Sequence, residues 1–209
     1  QLGEFTMNTA QSFFFRVSCV AAICLFTALT DFAQQTDARI LKKALFPPFE
    51  PVPLEISNLK VNGTPINFDQ PFQADDEWLK GLTFDVKNVS GKVITHFRIE
   101  LSLHNPDNNQ RAITYMVFHG RDTGLPNVEA TAHVADGEII HASFDEKRYN
   151  GLKRTQEHIG LSKITNAEFS IAFVIFEGDT AWRLGNLLRR DPTDPMRWNV
   201  IRPERKLPN

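Results

Sequence analysis

Cysteine is nearly missing from this chain of 209 residues, and the only two, Cys19 and Cys24, lie inside its most apolar stretch. Everything after that stretch has no thiol. This excludes a disulfide framework, a cysteine nucleophile and a thiolate metal site. Excess charge is missing too: 23 Lys and Arg face 25 Asp and Glu, a formal net charge of −2. No global field draws the chain to nucleic acid or to an anionic membrane surface, and no nucleic-acid partner is expected. There is no glycine-rich phosphate loop, no serine flanked by nucleophile-elbow glycines, and no histidine pair at zincin spacing. Tyrosine is scarce at 2 and tryptophan at 3, while phenylalanine reaches 17. Phe and β-branched residues suit pleated, half-buried strands, so this imbalance points towards β structure.

The start of the chain has the layout of an export signal. Residues 1–6 read as upstream sequence ahead of Met7, and residues 7–33 as a signal peptide. Arg16 supplies the positive end and Val17 to Thr30 the apolar run. As a helix that run reaches about 21 Å at ~1.5 Å per residue, short of a hydrocarbon core of ~30 Å. A cleaved leader is therefore expected, and an uncleaved one would be the chain's only route into a membrane. Ala33 precedes the expected cut, which starts the mature chain near Gln34. Neither cysteine sits in a lipidation pattern, since Arg16 lies three residues before Cys19 and the bulky Ile23 just before Cys24. The expected location is periplasmic, cell-surface or extracellular. Asn62-Gly63-Thr64 and Asn88-Val89-Ser90 both match the glycosylation acceptor pattern.

Residues 34–53 are polar and then proline-rich, which predicts an extended linker or arm. A domain is expected over 54–201, followed by a basic tail at 202–209. Leu82, Phe84 and Val86 alternate with Thr83, Asp85 and Lys87, the period of a half-buried strand. After Ser90-Gly91, residues 93–104 place Phe97, Ile99, Leu101 and Leu103 on one face and His96, Arg98, Glu100, Ser102 and His104 on the other. A hairpin is expected from these two, and a second around Asp136-Gly137. Asp145 is expected to cap a helix over about 145–159, with Tyr149, Leu152 and Ile159 inward and Gly160 at its end. Glu168 to Phe176 reads as a strand buried on both faces, Gly178-Asp179 as a turn into a strand over 180–188, and 189–195 as irregular. The pattern predicts a mainly β fold: an immunoglobulin-like β-sandwich of seven or eight strands with one inserted helix.

Candidate site residues are few. A two-residue turn at Asp136-Gly137 would put His133 and His141 on opposite faces, whereas a three-residue turn would bring them together. His96 and His104 share a face but lie roughly 26 Å apart by strand rise, too far for one ion. Asp75, Asp76 and Glu77 form one acidic group, and Glu177, Asp179, Asp191 and Asp194 another, neither at calcium-loop spacing. No metal and no cofactor is expected. Trp78, Trp182 and Trp198 each adjoin a charged loop, and Arg189 and Arg190 lie close to the last two. Together these five are the expected binding edge for a protein or glycan partner.

Two stretches resemble a known family. Asp75-Asp76-Glu77-Trp78-Leu79-Lys80-Gly81-Leu82-Thr83-Phe84-Asp85-Val86-Lys87-Asn88-Val89-Ser90-Gly91-Lys92 is similar to the start of a family of uncharacterised exported bacterial proteins. Phe173-Val174-Ile175-Phe176-Glu177-Gly178-Asp179-Thr180-Ala181-Trp182, Arg189-Arg190-Asp191-Pro192 and Arg197-Trp198 are similar to its end. The Val-Lys-Asn-Val-Ser-Gly-Lys turn also resembles immunoglobulin-like domains of bacterial surface proteins. The resemblance spans about 54–201 and implies export and a β fold, with no catalytic residues. The leading expectation is a non-catalytic exported binding module. The competing ones are an envelope hydrolase acting through loop carboxylates and a self-associating structural subunit whose arm docks on a neighbour.

Overall fold

Alternation of apolar side chains governs the architecture. A computed structural model describes residues 37–45, 50–105, 111–121, 132–144, 146–161 and 163–201. The leader, both cysteines, the expected cleavage site, Asp145 and the basic tail lie outside the described residues. Two sheets form, with one α-helix among the described residues: β1 (Asp37–Lys43), β2 (Leu54–Val61), β3 (Thr64–Pro65), β4 (Pro71–Ala74), β5 (Leu82–Asn88), β6 (Ile94–His104), β7 (Arg111–Gly120), β8 (Ile139–Ser143), α1 (Glu146–His158), β9 (Asn166–Phe176), β10 (Thr180–Arg183), β11 (Asn186–Arg190) and β12 (Trp198–Val200). A short 3₁₀ turn, Trp78–Gly81, leads into β5. The chain is mainly β, as its composition predicts.

The larger sheet is built around β9. Along one edge β9 pairs antiparallel with β6, and β7 lies beyond. The other edge is shared. Residues 166–169 pair in parallel with β1, whereas residues 174–176 pair antiparallel with β10. β4 extends the β1 branch, and β11 and β12 extend the β10 branch, so the sheet forks. The smaller sheet runs β3-β2-β5-β8. Phe97, Ile99, Leu101 and Leu103 of β6 are buried as the alternation requires, and they share one hydrophobic core with Leu54 and Ile56 of β2 and with Leu82, Phe84 and Val86 of β5.

Several expectations are corrected. Twelve strands form among the described residues, more than the seven or eight counted from sequence. The additional ones are short or lie where no alternation is visible. Residues 37–43, read as part of an extended linker or arm, form a paired strand, β1, with Arg39 and Leu41 fully buried. Only alternate residues of β1 point inward, and one of them is charged, so the hydrophobic signal is masked. β5 and β6 do not form a hairpin, because each buries its apolar face from a different sheet. Asn88 holds the crossing. Its buried amide donates to the carbonyls of Lys92 (2.7 Å) and Val134 (2.8 Å) and accepts from the Ser90 N–H (3.0 Å) and hydroxyl (2.7 Å). An amide committed in this way is no glycan acceptor in the folded domain.

The turn at Asp136-Gly137 exists, closed by the Glu138 N–H on the Ala135 carbonyl, but it joins no hairpin. Val134 bridges to Ile94, while β8 pairs with β5. Residues 180–188 are two strands, not one. Leu184 and Gly185 take φ of 48° and 85° and make a two-residue turn between Arg183 and Asn186; positive φ at both positions matches the twist of a hairpin, and a leucine there gives no sequence signal. α1 buries Tyr149 and Leu152 as expected, but Ile159 is 46% exposed and Leu161 goes inward instead. Gly160, at φ 70°, reverses the chain, with its N–H on Glu157 and the Leu161 N–H on Gln156. This bonding satisfies the last helical carbonyls.

The fork in the sheet is occupied by a cation. The Arg39 guanidinium is fully buried and donates to Asp76 Oδ1 (2.6 Å), to the Ile164 carbonyl (3.2 Å) and to the Ala74 carbonyl (3.4 Å). Asp37 lies 3.7 Å away and is itself bound by Lys163 at 2.9 Å. The Ile164 carbonyl also accepts the Trp78 indole N–H at 2.9 Å. Asp76→Ala strands a buried charge, whereas Arg39→Met leaves a carboxylate that is already 56% exposed. Chemical denaturation is expected to show Asp76→Ala costing about 2–3 kcal/mol, below the ~3–5 kcal/mol of a fully buried pair. Arg39→Met is expected to cost less.

Candidate binding face

One side of β6 faces the core; the other carries His96, Arg98, Glu100 and Ser102. Read alone, these residues look like a solvated polar face. Their neighbours change its character. Arg98 lies between Phe118 of β7 and Phe173 of β9 in the sheet register, and Glu100 between Met116 and Ser170. The Arg98 guanidinium sits 5.9 Å from the Phe173 ring centre, with its Nε 3.3 Å from Glu100. The His96 ring stacks 6.1 Å from Phe118 and meets Phe173 edge-on at 6.4 Å. Phe173 in turn meets Trp198 edge-on at 5.6 Å, and the Arg190 guanidinium lies 4.1 Å over the Trp198 ring. A row of four rings, with one guanidinium beside Phe173 and another over Trp198, thus crosses the outer side of the larger sheet from β7 to β12.

Beneath Trp198 and Phe173 lies a small second core of Ile175, Ala181 and Leu188, which explains why β9 is apolar on both sides. The row itself remains open at its ends. Phe118 is 48% and Val200 55% exposed, with Met116 also exposed.

The loop at 191–197 fixes the Trp198 end. Asp191 Oδ1 accepts from the Thr193 N–H (2.9 Å) and hydroxyl (2.6 Å) and from the Asp194 N–H (3.3 Å); Oδ2 accepts from the Asn199 amide (3.1 Å). Arg190 donates to Asp179 (3.2 Å) and to the Pro195 carbonyl. These bonds, led by the Thr193 hydroxyl, hold the Asp191 carboxyl far below the usual carboxylate range.

Of the five residues predicted to form a binding edge, the structure brings together two, Trp198 and Arg190. Trp78 is 0% and Trp182 2% exposed, so both are core residues rather than edge residues. Each ring is drawn inward because its indole N–H finds a carbonyl, Ile164 for Trp78 and Glu50 (3.5 Å) for Trp182. Arg189 is exposed and alternates with Arg190 along β11, so it leaves the row for the opposite face. The sequence reasoning missed Phe118, Phe173, His96 and Arg98. Phe118 had a signal in the run 113–118, which carries apolar residues on both of its faces, and Phe173 in the equally two-sided run of β9; His96 and Arg98 had none.

The remaining candidates are placed elsewhere. His133 is exposed in the loop before the turn, and His141 stands on β8, where its Nδ1 lies 2.6 Å from Asp85. That hydrogen bond, then one from Asn58, lowers the Asp85 pKa. His119 points inward, stacked on Phe97 at 5.1 Å, and burial depresses its pKa. Among the described residues no three His, Cys, Asp or Glu side chains gather as a metal would require. The acidic groups are used internally: Asp76 by Arg39, Glu77 by Lys153, Asp179 by Arg190, and Asp191 by its own loop.

A depressed folded-state pKa gives stability that is present above the unfolded value of ~3.9 and is lost as pH falls through the folded value. In an acid titration followed by amide NMR, the Thr193 and Asp194 signals are expected to hold through pH ~4 and to move only below it. In Asp191→Asn they should already be displaced at neutral pH, with no acid step. Comparison of the chain with protein-family models, with curated proteins and with solved structures finds no match.

Proposed function

We propose that the chain is an exported, non-catalytic β-sandwich module, immunoglobulin-like in style, that binds a protein partner through the outer face of its larger sheet. The observation that carries this reading is the ring-and-cation row with Phe118, Met116 and Val200 exposed beside it. Aromatic residues, Met and Arg are the types enriched where protein surfaces meet, and Lys and Asp are the types depleted. The shared core of the two sheets supports the sandwich reading, and the layout of residues 7–33 supports export.

A photo-crosslinking residue placed at Phe118 or Val200 tests the face, with Lys87 on the smaller sheet as the control position. In cells, adducts of one defined mass are expected from the first two positions and not from the third. They are expected to fall at least tenfold when Trp198→Ala is combined with the probe, a loss of about 1.4 kcal/mol or more. Equal labelling at all three positions would overturn the reading, and so would a glycan in place of a protein in the adduct. Export has its own test. Mass spectrometry of protein made from the full chain is expected to give a start near Gln34, and a chain retaining residues 7–33 in the cytoplasm would overturn it.

A further inference from the structure

We propose that Asn62 is a self-modifying site, where the Gly63 backbone nitrogen displaces the side-chain amide and leaves aspartate or isoaspartate in the folded protein. The site is separate from the aromatic face and does not rest on that reading. The chain has two Asn-Gly dipeptides, Asn62-Gly63 and Asn150-Gly151. Glycine after asparagine favours the reaction because no side chain hinders the attacking nitrogen.

Exposure does not separate the two sites, since both asparagines are exposed. Backbone setting does. Asn150 and Gly151 lie inside α1, where the Gly151 nitrogen is held in the helical ladder. Asn62 and Gly63 are the two central residues of the turn between β2 and β3, at φ 50° and 81°. That turn is lightly held. β3 has only two residues, and one of them, Pro65, has no N–H to give to its partner Lys60. The Ile66 N–H reaches the Leu59 carbonyl at 3.0 Å one step further on. A Cβ at position 63 would meet nothing within 4 Å, which leaves room for ring closure and for water. Openings that bring the Gly63 nitrogen onto Asn62 Cγ therefore cost less here than in a helix interior. Asp136-Gly137 can close a similar ring by loss of water, but its Oδ1 is tied to the Gly91 N–H at 2.9 Å.

The Gly63 nitrogen bonds to Asn62 Cγ, the Cγ–Nδ2 bond breaks, and Nδ2 leaves as ammonia with the Gly63 proton. Water then opens the cyclic imide. Cleavage at Cγ gives aspartate, and cleavage at the main-chain carbonyl gives isoaspartate, with one extra methylene in the backbone. Either product is felt at Gly81. The Asn62 N–H donates to the Gly81 carbonyl at 3.0 Å, and its carboxamide lies so close that position 81 has no room for a Cβ. A carboxylate or a lengthened turn there displaces the end of the 3₁₀ turn that carries Trp78.

The test is incubation of the full folded chain at neutral and at mildly alkaline pH, followed by tryptic digestion and mass spectrometry. Digestion in heavy-oxygen water gives any conversion during digestion a mass tag of its own. Peptides 61–80 and 149–153 carry the two sites, and fragmentation separates Asn62 from Asn67 in the first. Conversion at Asn62 is expected to outpace Asn150 by at least about tenfold in the folded chain. It is expected to quicken as pH rises, because the attacking nitrogen must shed its proton, and the gap between the sites should close in denaturant. An isoaspartate-specific methyltransferase used as a probe is expected to label the incubated chain and not Asn62→Gln, and the Gly81 amide NMR signal to move with conversion. No conversion at Asn62, equal rates at the two sites in the folded chain, a gap that persists unchanged in denaturant, a rate indifferent to pH, or a glycan on peptide 61–80 would overturn the proposal.

Discussion

A guanidinium with no solvent contact sits where the larger sheet divides, and the surrounding structure is arranged to keep it satisfied. Arg39 cannot lose its proton, so burying it requires a carboxylate and carbonyls aimed at it. Asp76 supplies the charge, and Ile164 and Ala74 supply the carbonyls. These three residues come from the segment ahead of β5, the loop before β9 and the end of β4. One side chain thus ties together the parallel β1–β9 pair, the antiparallel β1–β4 pair and the 3₁₀ turn. Trp78 reinforces the same point by sharing the Ile164 carbonyl. A fully apolar residue at position 39 would pack, but it would leave that carbonyl with one donor fewer and Asp76 with no reason to turn inward.

The outer face follows a different logic. Its cations are not buried in the core but laid over rings, where the electrostatics of the aromatic face favour them. Arg190 is doubly fixed, by Asp179 on one side and by the Pro195 carbonyl on the other. Its position over Trp198 is therefore set before any partner arrives. Loss of side-chain freedom on binding is one of the main costs of association, and a face whose rings and cations already hold each other avoids much of it. The two prolines of the 191–195 segment act in the same direction by fixing backbone angles.

The sequence disclosed those parts of the structure where alternation is clean. β5, β6 and β9, the length of α1 and the turn at Gly160 could all be read, because period-two and capping signals are local. Three things could not. β1 was hidden because an inward arginine breaks its apolar pattern. The pairing of β5 and β6 with separate sheets was hidden because a short turn between two amphipathic strands looks the same whether the chain folds back or crosses over. Only the long-range bonds of Asn88 to Val134 distinguish the cases. The face was half visible. Trp198 and Arg190 stood out by type, but exposed Phe118 was indistinguishable from its buried neighbours Ile113 and Val117. Trp78 and Trp182 were misplaced for a related reason: tryptophan beside charged loops suits the surface only if the indole N–H lacks an internal acceptor.

The parallel pairing of β1 with β9 joins Ile40 to Asn166 across most of the domain. Such a contact closes a very long loop, and folds dominated by distant pairings form slowly. A ribosome must therefore have released nearly the whole domain before the second edge of the first strand is paired, although β4 can take its other edge much earlier. Until then Arg39 lacks its Ile164 carbonyl and the sheet cannot close. The interval between synthesis and closure is built into the order of the strands, and it leaves the polypeptide threadable for as long as β9 is unmade or held apart.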